Sequence, residues 1–591
     1  MAYRYRLVLL ALLIPIYLSA QSTTDPKFEF RSVWMTTAGG LDWPKSTDPA
    51  VQQSSLRDII RQAKAMGLNA IVFQATSRGD AYFRSDRLPW SSQLTGVIGK
   101  DPGWDPLQFL IDECRAQGME VHAWYNVFNV GSATVTEPGA PLHITQTALP
   151  GWIRSADSST WLNPGYSGAR DWVVANVVEL LSNYDVDAIN FDFMRYPGPF
   201  DDDFGLWLAD GRGINSTSDW RRDNVTDIPR RISAWVAQNK PWVKVGSAPI
   251  GHYKASGGWP ALFAFSGVFQ DSRSWLKNGY NDYLMPQIYW KIYTGPYTSS
   301  PEHSWIVRDY AKETYGRHVY TGIGAYVDGT VQQIPRMIDT TRVNNLHGQV
   351  YFRWQSIYGF QPATGGFAPL YTYRRPAIVP MMPWRSQVAP PAPVVLDYNR
   401  VGNTHVLSWA KGVHNDRGDT LQRFAVYRSA TGETDAAAII SNPTNLMGLT
   451  GGPRFTSTGI SQNSAYTYVV TSLSRNNVES APSNVFNVPS ATGIDEAEIA
   501  KGYTLSQNFP NPFNPTTVIN FTLGAQDLAS LQTRLAVYDA LGREVAVLVD
   551  GPMSAGSHSV TFDAGQLASG VYIYVLTSGE VRLTHTMTLV K

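Results

Sequence analysis

The stretch YDVDAINFDFMRYP, residues 184–197, ends an apolar run on an acidic side chain, Asp192. A period of two puts Asn190 and Asp192 on one face of an extended segment and Phe191 and Phe193 on the other. A carboxylate aimed into an enclosed cleft costs several kcal/mol to desolvate unless it is paired or used. Asp192 is therefore either half of an ion pair with Arg195 or Arg78, or a reacting group: a nucleophile or a base. Hydrolysis of a glycosidic bond is one of several reactions that use such a group. It needs a second carboxyl, about 5 Å away for retention of configuration and roughly 6.5–9.5 Å away for inversion. Asp80 in SRGDAYF, close in sequence to Arg78, is one candidate, with a loop-capping role as its alternative. Asp271 in FQDSRSWLKNG is another, at a position where Asp also caps helices. Glu302 is held in reserve.

Around these carboxylates the sequence supplies the mixture a sugar site needs, hydrogen bonders matched to hydroxyls beside flat apolar faces that cover pyranose rings. Gln74 ends one apolar run, and His122, Trp124 and Asn126 share a face of VHAWYN. Gln287, Tyr289 and Trp290 end another run as PQIYW. Arg195 and Tyr196 follow Asp192, where a guanidinium can orient a carboxylate or bind an acidic sugar. No His-x-His, HExxH or Asp-rich calcium loop occurs, and the turns Asn415-Asp416-Arg417-Gly418 and Asp201-Asp202-Asp203 are too irregular for metal sites, so neither metal nor cofactor is expected.

These residues need a scaffold that brings many strand ends to one place. Eight β-type runs alternate with helical-period stretches such as LRDIIRQAKAMG and WVVANVVELLSNY between Phe28 and about Tyr373. They are Phe30–Thr37, Asn69–Thr76, Glu120–Asn126, Ala188–Met194, Val243–Pro249, Tyr283–Tyr289, Val319–Ala325 and Gln349–Trp354. Eight such units suit an α/β fold of the (β/α)8, TIM-barrel type over residues 28–375, with its chemistry at the C-terminal strand ends. A doubly wound sheet is the alternative, but TTAGGLDWP after the first strand lacks its phosphate-binding fingerprint.

The 591-residue chain exceeds what one hydrophobic core organises, so further domains are expected. A proline-rich stretch at 376–393 reads as a linker. Beyond it, THVLSWA, RFAVYRS and YTYVVTSLS outline a sandwich over 394–488, resembling a fibronectin type III module with Trp409 and Tyr427 as core aromatics. A second all-β sandwich spans 500–591. Lys+Arg and Asp+Glu both total 48, which offers no basic field for nucleic acid. Residues 1–20 have the basic start, apolar run and small-residue end of a signal peptide, and no later run suits a membrane span. The single cysteine, Cys114, lies on the apolar face of a helical stretch and is expected to pack in a core.

Two longer resemblances sharpen this reading. FRSVWMTT with LDWP beyond it, GDAYF followed by PWSSQLTG, EVHAWYNVF, YDVDAINFDFMRYP, KVGSAPIG, QDSRSWLKNGYNDYLMPQIYW and GQVYFRW together resemble the bacterial glycosyl hydrolase-like family 10. That resemblance implies cleavage of glycosidic bonds in peptidoglycan strands or another extracellular polysaccharide, with Asp192 matching the Asp at the end of strand four. Many members carry a second Asp directly after it, where this chain has Phe193. QNFPNPFNP, YDALG and GVY resemble the type IX secretion sorting domain, which implies export to the cell surface and removal of the tag there. Two other functions fit the same residues, a non-catalytic carbohydrate-binding barrel and a surface adhesin in which the sandwiches dominate.

Overall fold

The computed structural model describes residues 25–254, 262–293, 301–358 and 373–591, apart from short breaks at 402, 431, 462–463, 491–502, 525–530, 540–542 and 580. The signal-peptide segment 1–20 lies outside the described residues.

Eight parallel strands close into a barrel. In order they are Phe30–Met35, Ala70–Thr76, Glu120–Asn126, Ala188–Asp192, Lys244–Ser247, a sixth in two pieces (Tyr283–Leu284 and Gln287–Ile288), a seventh in two pieces (His318–Val319 and Thr321–Gly324), and Gly348–Phe352. Each pairs with the next, and the eighth pairs back onto the first, Phe30 opposite Gly348 and Trp34 opposite Phe352. Pro286, which has no N–H for the ladder, separates the two pieces of strand six. The closure depends on a glycine. Gly348 has φ 143°, and a Cβ there would lie 2.0 Å from the carbonyl oxygen of Phe30.

Helices pack on the outside, and their starts are legible in the sequence. Pro49–Ala65 and Pro106–Ala116 each begin with Pro after a capping Asp, Asp48 and Asp105, whose carboxylates accept first-turn amides. Strand residues of one parity, such as Val33, Ile71, Phe73, Val121 and Phe191, bury against these helices. The other parity fills the barrel with Phe30, Trp34, Val72, Trp124, Tyr283, Tyr320 and Val350. Cys114 is buried on the inner face of its helix.

Residues 376–387 are a clasp rather than a spacer. Ile378 bridges Phe28 in parallel, Val379 and Met382 pack into the lower barrel, and Trp384 and Arg385 donate to Asp282 at 2.7 and 2.9 Å. Beyond them, seven strands form two antiparallel sheets in the arrangement of a fibronectin type III-like sandwich. Trp409 lies in its core, but Tyr427 does not. The strand Arg423–Ser429 is buried on both faces because its sheet also covers the N-terminal end of the barrel, and Tyr427 faces that junction with Ile378 and Leu449.

The junction is bonded as well as packed. Glu120, wholly buried at the start of strand three, accepts Lys244 at 2.6 Å and His122 at 3.0 Å from the barrel. From the sandwich it accepts Arg423 at 3.1 Å and Asn477 at 3.0 Å. Burial alone would raise its pKa, and the charges of Lys244 and Arg423 reverse that and hold it well below the carboxylate range. Arg475 grips Asp185 through two bonds of 2.6 and 2.9 Å.

The C-terminal unit is a second sandwich, a three-stranded sheet facing a four-stranded one across a core that includes Phe513, Phe521, Leu535 and Tyr574. Its proline-rich entry is held by Asn508, whose amide donates to Pro510 O and Thr517 Oγ1, both at 3.0 Å.

Candidate active site

At the C-terminal mouth of the barrel a cavity of about 200 Å³ is walled by Trp34, Gln74, Arg78, Trp124, Asn126, Asp192, Phe193, Gln287, Tyr289 and Phe352. Larger clefts, of about 280 and 390 Å³, lie at the other end, where the barrel meets the sandwich. Of these three, the mouth alone places its carboxyl at the C-terminal strand ends, among polar side chains and aromatic rings, the position where barrels of this kind keep their chemistry.

Among the described residues Asp192 is the one carboxylate in that cavity wall. It forms no ion pair within the described residues. Its Oδ1 accepts the amide of Phe193 at 2.7 Å and Nε2 of Gln287 at 3.0 Å, which leaves Oδ2 for a ligand. Burial raises its pKa to about 6, against the opposing pull of the Phe193 amide, Arg195, Gln287 and Arg78. Such a group can hold a proton near neutrality and release it to a leaving oxygen.

Phe193 packs on the outer cluster with Phe191, as alternation implies, and also reaches the cavity. The strand ends at Asp192, and Phe193 takes φ 50°, a left-handed backbone rare for a bulky residue. Phe193 thereby lines the cavity while it still packs against the outer hydrophobic cluster. Trp161 meets it edge-on at 5.7 Å, and the guanidiniums of Arg195 and Arg78 sit 5.4 and 5.7 Å from it. Strain of this kind persists where surrounding contacts over-determine it, commonly beside a reacting group.

The other expected residues divide by location. Gln74 lines the cavity, and its Oε1 accepts the amides of Thr37 and Ala38, both at 2.9 Å, which fixes the loop after strand one. Asn126 donates to Ser77 O at 2.6 Å and accepts Trp124 Nε1 at 3.0 Å. Tyr289 stands against Trp34 and Phe352. Arg195, half-buried, lies over Trp161 at 5.0 Å and donates to Tyr196 O at 3.1 Å.

Several expected residues sit elsewhere. His122 shares the inward face but lies a layer below the mouth, bonded to Tyr283 at 2.9 Å and to Glu120, where burial lowers its pKa. Asn190 is likewise under the mouth, fully buried with its amide toward Met285. Tyr196 is turned into the outer core, where its hydroxyl accepts Asn224 at 3.1 Å. Trp290 packs on the outer hydrophobic cluster. Asp80 holds its own turn, its Oδ1 accepting Ser77 Oγ and the amides of Ser77 and Arg78 at 2.8–3.2 Å. Asp271 and Glu302 cap the helices Ser272–Lys277 and His303–Ala311. None of these three carboxylates reaches the cavity wall.

Trp34 and Phe352 are cavity residues that pattern reading missed. They sit at the ends of strands one and eight, and only barrel closure makes those strands neighbours.

The closed barrel with a carboxyl among aromatic rings at its mouth defines a (β/α)8 protein of the glycoside-hydrolase type. The chain belongs to the glycosyl hydrolase-like 10 family, whose sequence profile matches residues 29–337. Glycosyl hydrolase YngK of Bacillus subtilis is 28% identical over 495 residues, 80% of this chain and 94% of its own length. Glycosyl hydrolase DigH of Escherichia coli is 30% identical over 377 residues, 57% and 84% respectively. The solved catalytic domain of β-amylase from Paenibacillus polymyxa is 14% identical at a TM-score of 0.38, covering 59% of this chain and 97% of that one. Residues 507–590 match the secretion system C-terminal sorting domain, so the protein is secreted or displayed at the cell surface. No described helix is long and apolar enough to cross a membrane.

Proposed function

We propose that the barrel hydrolyses glycosidic bonds in an extracellular glycan, peptidoglycan strands or another polysaccharide, with Asp192 as the acid that protonates the leaving oxygen. The observation that carries this reading is the state of Asp192, with one oxygen held by Phe193 and Gln287, the other free, and burial pushing its pKa up to about 6. The expectation from sequence was a nucleophile or base, roles that need the carboxylate ionised. Desolvation favours the protonated form and hence the role of acid. The apolar walls offered by Trp34, Trp124, Tyr289 and Phe352 suit pyranose faces, and Gln74, Asn126 and Gln287 suit their hydroxyls. Replacing Asp192 by Asn removes the proton and keeps the shape. The expected outcome is loss of reducing-end release from a panel of purified peptidoglycan and soluble polysaccharides, with an unchanged fold by circular dichroism. Full activity in that variant refutes the assignment.

Phe193, standing where the family resemblance implies a second Asp, favours a second reading, a barrel that binds glycan without cutting it. The same panel separates the two, because a binding barrel retains a glycan on which the wild-type protein releases no reducing ends.

A further inference from the structure

Two arginines at the mouth have no counter-charge bonded to them among the described residues. Arg154 and Arg353, on the loops after strands three and eight, are neutralised by Asp202 and Asp42. Arg78, exposed in the cavity wall, and Arg195, half-buried, form no such pair. Both are nevertheless held in place. Arg78 Nη1 donates to Asn129 Oδ1 at 2.8 Å, and its stem crosses Gly131, where a Cβ would come within 2.9 Å of it. Arg195 lies over Trp161 at 5.0 Å and over Phe193 at 5.4 Å, and Arg78 stands 5.7 Å from the same Phe193 ring. Trp161 belongs to a hairpin, Ile153–Ala156 paired with Ser159–Leu162. Ser159 Oγ of that hairpin donates at 2.9 Å to the same Asn129 oxygen that holds Arg78.

We infer that Arg78 and Arg195 form a subsite for a carboxylate of the substrate, so that the glycan taken by this barrel is one whose sugars carry free carboxylates. A guanidinium offers five N–H donors in a planar fork that matches a carboxylate. Each of these two spends one donor group on a described bond, to Asn129 Oδ1 and to Tyr196 O. Contact with aromatic rings holds the cations without consuming the remaining donors. The hydroxyls of a neutral sugar need no such charge, since the cavity already presents the amides of Gln74, Asn126 and Gln287 to them. The subsite adjoins the reacting group, because Arg78, Phe193 and Asp192 line the same cavity. A like charge beside Asp192 also favours its protonated form, the form that acid catalysis needs.

Such a carboxylate has two sources in polysaccharides, the acid of a uronic sugar and the ether-linked lactyl acid of peptide-free peptidoglycan. Both present the same planar anion beside a ring that apolar walls can cover. The inference rests on the reading of the mouth as the glycan site.

The test measures glycan binding by isothermal titration, on the full mature chain carrying Asp192→Asn so that nothing is cut during the measurement. Polygalacturonate, hyaluronan and peptide-free peptidoglycan strands are each compared with their carboxyl-reduced forms, and dextran sulfate with dextran. At least one of the three acidic glycans is expected to bind about 10- to 100-fold more tightly than its reduced form, and which one does so identifies the source. The reduced glycans test the charge with no change to the protein. Adding Arg78→Gln or Arg195→Gln, with an unchanged melting curve, is expected to cut the preference to about threefold or less. Equal affinity for native and reduced forms, no binding of any acidic glycan, a preference for dextran sulfate alone, or a preference that survives both substitutions overturns the subsite. A wild-type protein that shows the preference and releases no reducing ends overturns hydrolysis and leaves the subsite standing. One that cuts a carboxyl-reduced glycan as fast as the native form overturns the subsite and leaves hydrolysis standing.

Discussion

Around Phe193 two guanidiniums and one carboxyl compete, and the outcome sets the protonation of Asp192. Burial is the largest effect on it, and the positive charges of Arg195 and Arg78 only partly oppose that effect. For catalysis the acid form persists up to about pH 6, so kcat/KM is expected to fall as pH rises through 6, which a pH-rate profile will show. For stability, a carboxyl whose pKa is higher folded than unfolded binds more protons in the folded state between roughly pH 4 and 6. Stability is therefore lost as pH rises through that window. The Asp192→Asn variant should melt like the wild type at pH 4 and above it at pH 7, by at most about 3 kcal/mol. A second expectation concerns Tyr326, which is 56% exposed yet braced edge-on by the cavity rings Tyr289 and Phe352 at 5.8 and 5.7 Å. Such a ring extends the aromatic wall outward. Tyr326→Ala should slow cleavage of long chains about tenfold and leave the shortest substrates unchanged, an effect of about 1.4 kcal/mol, as measured by comparing chain lengths.

Closure of the barrel is an element-scale property that depends on close backbone approach at glycines. Strand eight meets strand one at Gly348, where any side chain would strike the Phe30 backbone. Gly348→Ala combines that collision with a left-handed φ and is expected to cost more than about 3 kcal/mol, read as a drop in Tm or as insoluble protein. Gly246, on strand five, has the same logic inside the barrel, since the ring of Tyr283 fills the space its side chain would take. The strands themselves were legible in the sequence because each is a local run bounded by helical periodicity, and all eight expected runs became barrel strands. That Phe193 also lines the cavity was not legible, because alternation describes a side chain only while the strand continues, and the strand ends at Asp192. Trp161 was passed over because its hairpin lies inside a long loop, with no barrel strand to mark it.

Across the whole molecule the fibronectin-like sandwich behaves as a base for the barrel. Without it Glu120 loses Arg423 and Asn477, Asp185 loses Arg475, and the apolar face around Ile378 and Leu449 meets water. Leaving buried charges short of partners costs about 3–5 kcal/mol. A protein ending at Pro393 should therefore melt at least ~10 °C below one ending at Pro489, by calorimetry. Equal melting temperatures would show that the junction is incidental. The Glu120 cluster could not have been read in advance, since it draws on side chains 124, 303 and 357 residues apart in the chain.

What could be read from the order of residues alone was whatever repeats locally or stands as a contiguous motif: eight strand runs, the export tag within 500–591, and Asp192 at the end of strand four. Tertiary structure decided which side chains share the mouth. It joined Trp34 and Phe352 to the cavity by closing the ring and dropped His122 a layer below it. It also assigned Asp80 to a turn and Asp271 and Glu302 to helix caps, and brought Trp161 under Arg195. The physical reason is that alternation and spacing report which face a residue takes. The depth of a side chain in the barrel, its partners across strands and the desolvation that sets its pKa depend on chain segments far apart in sequence.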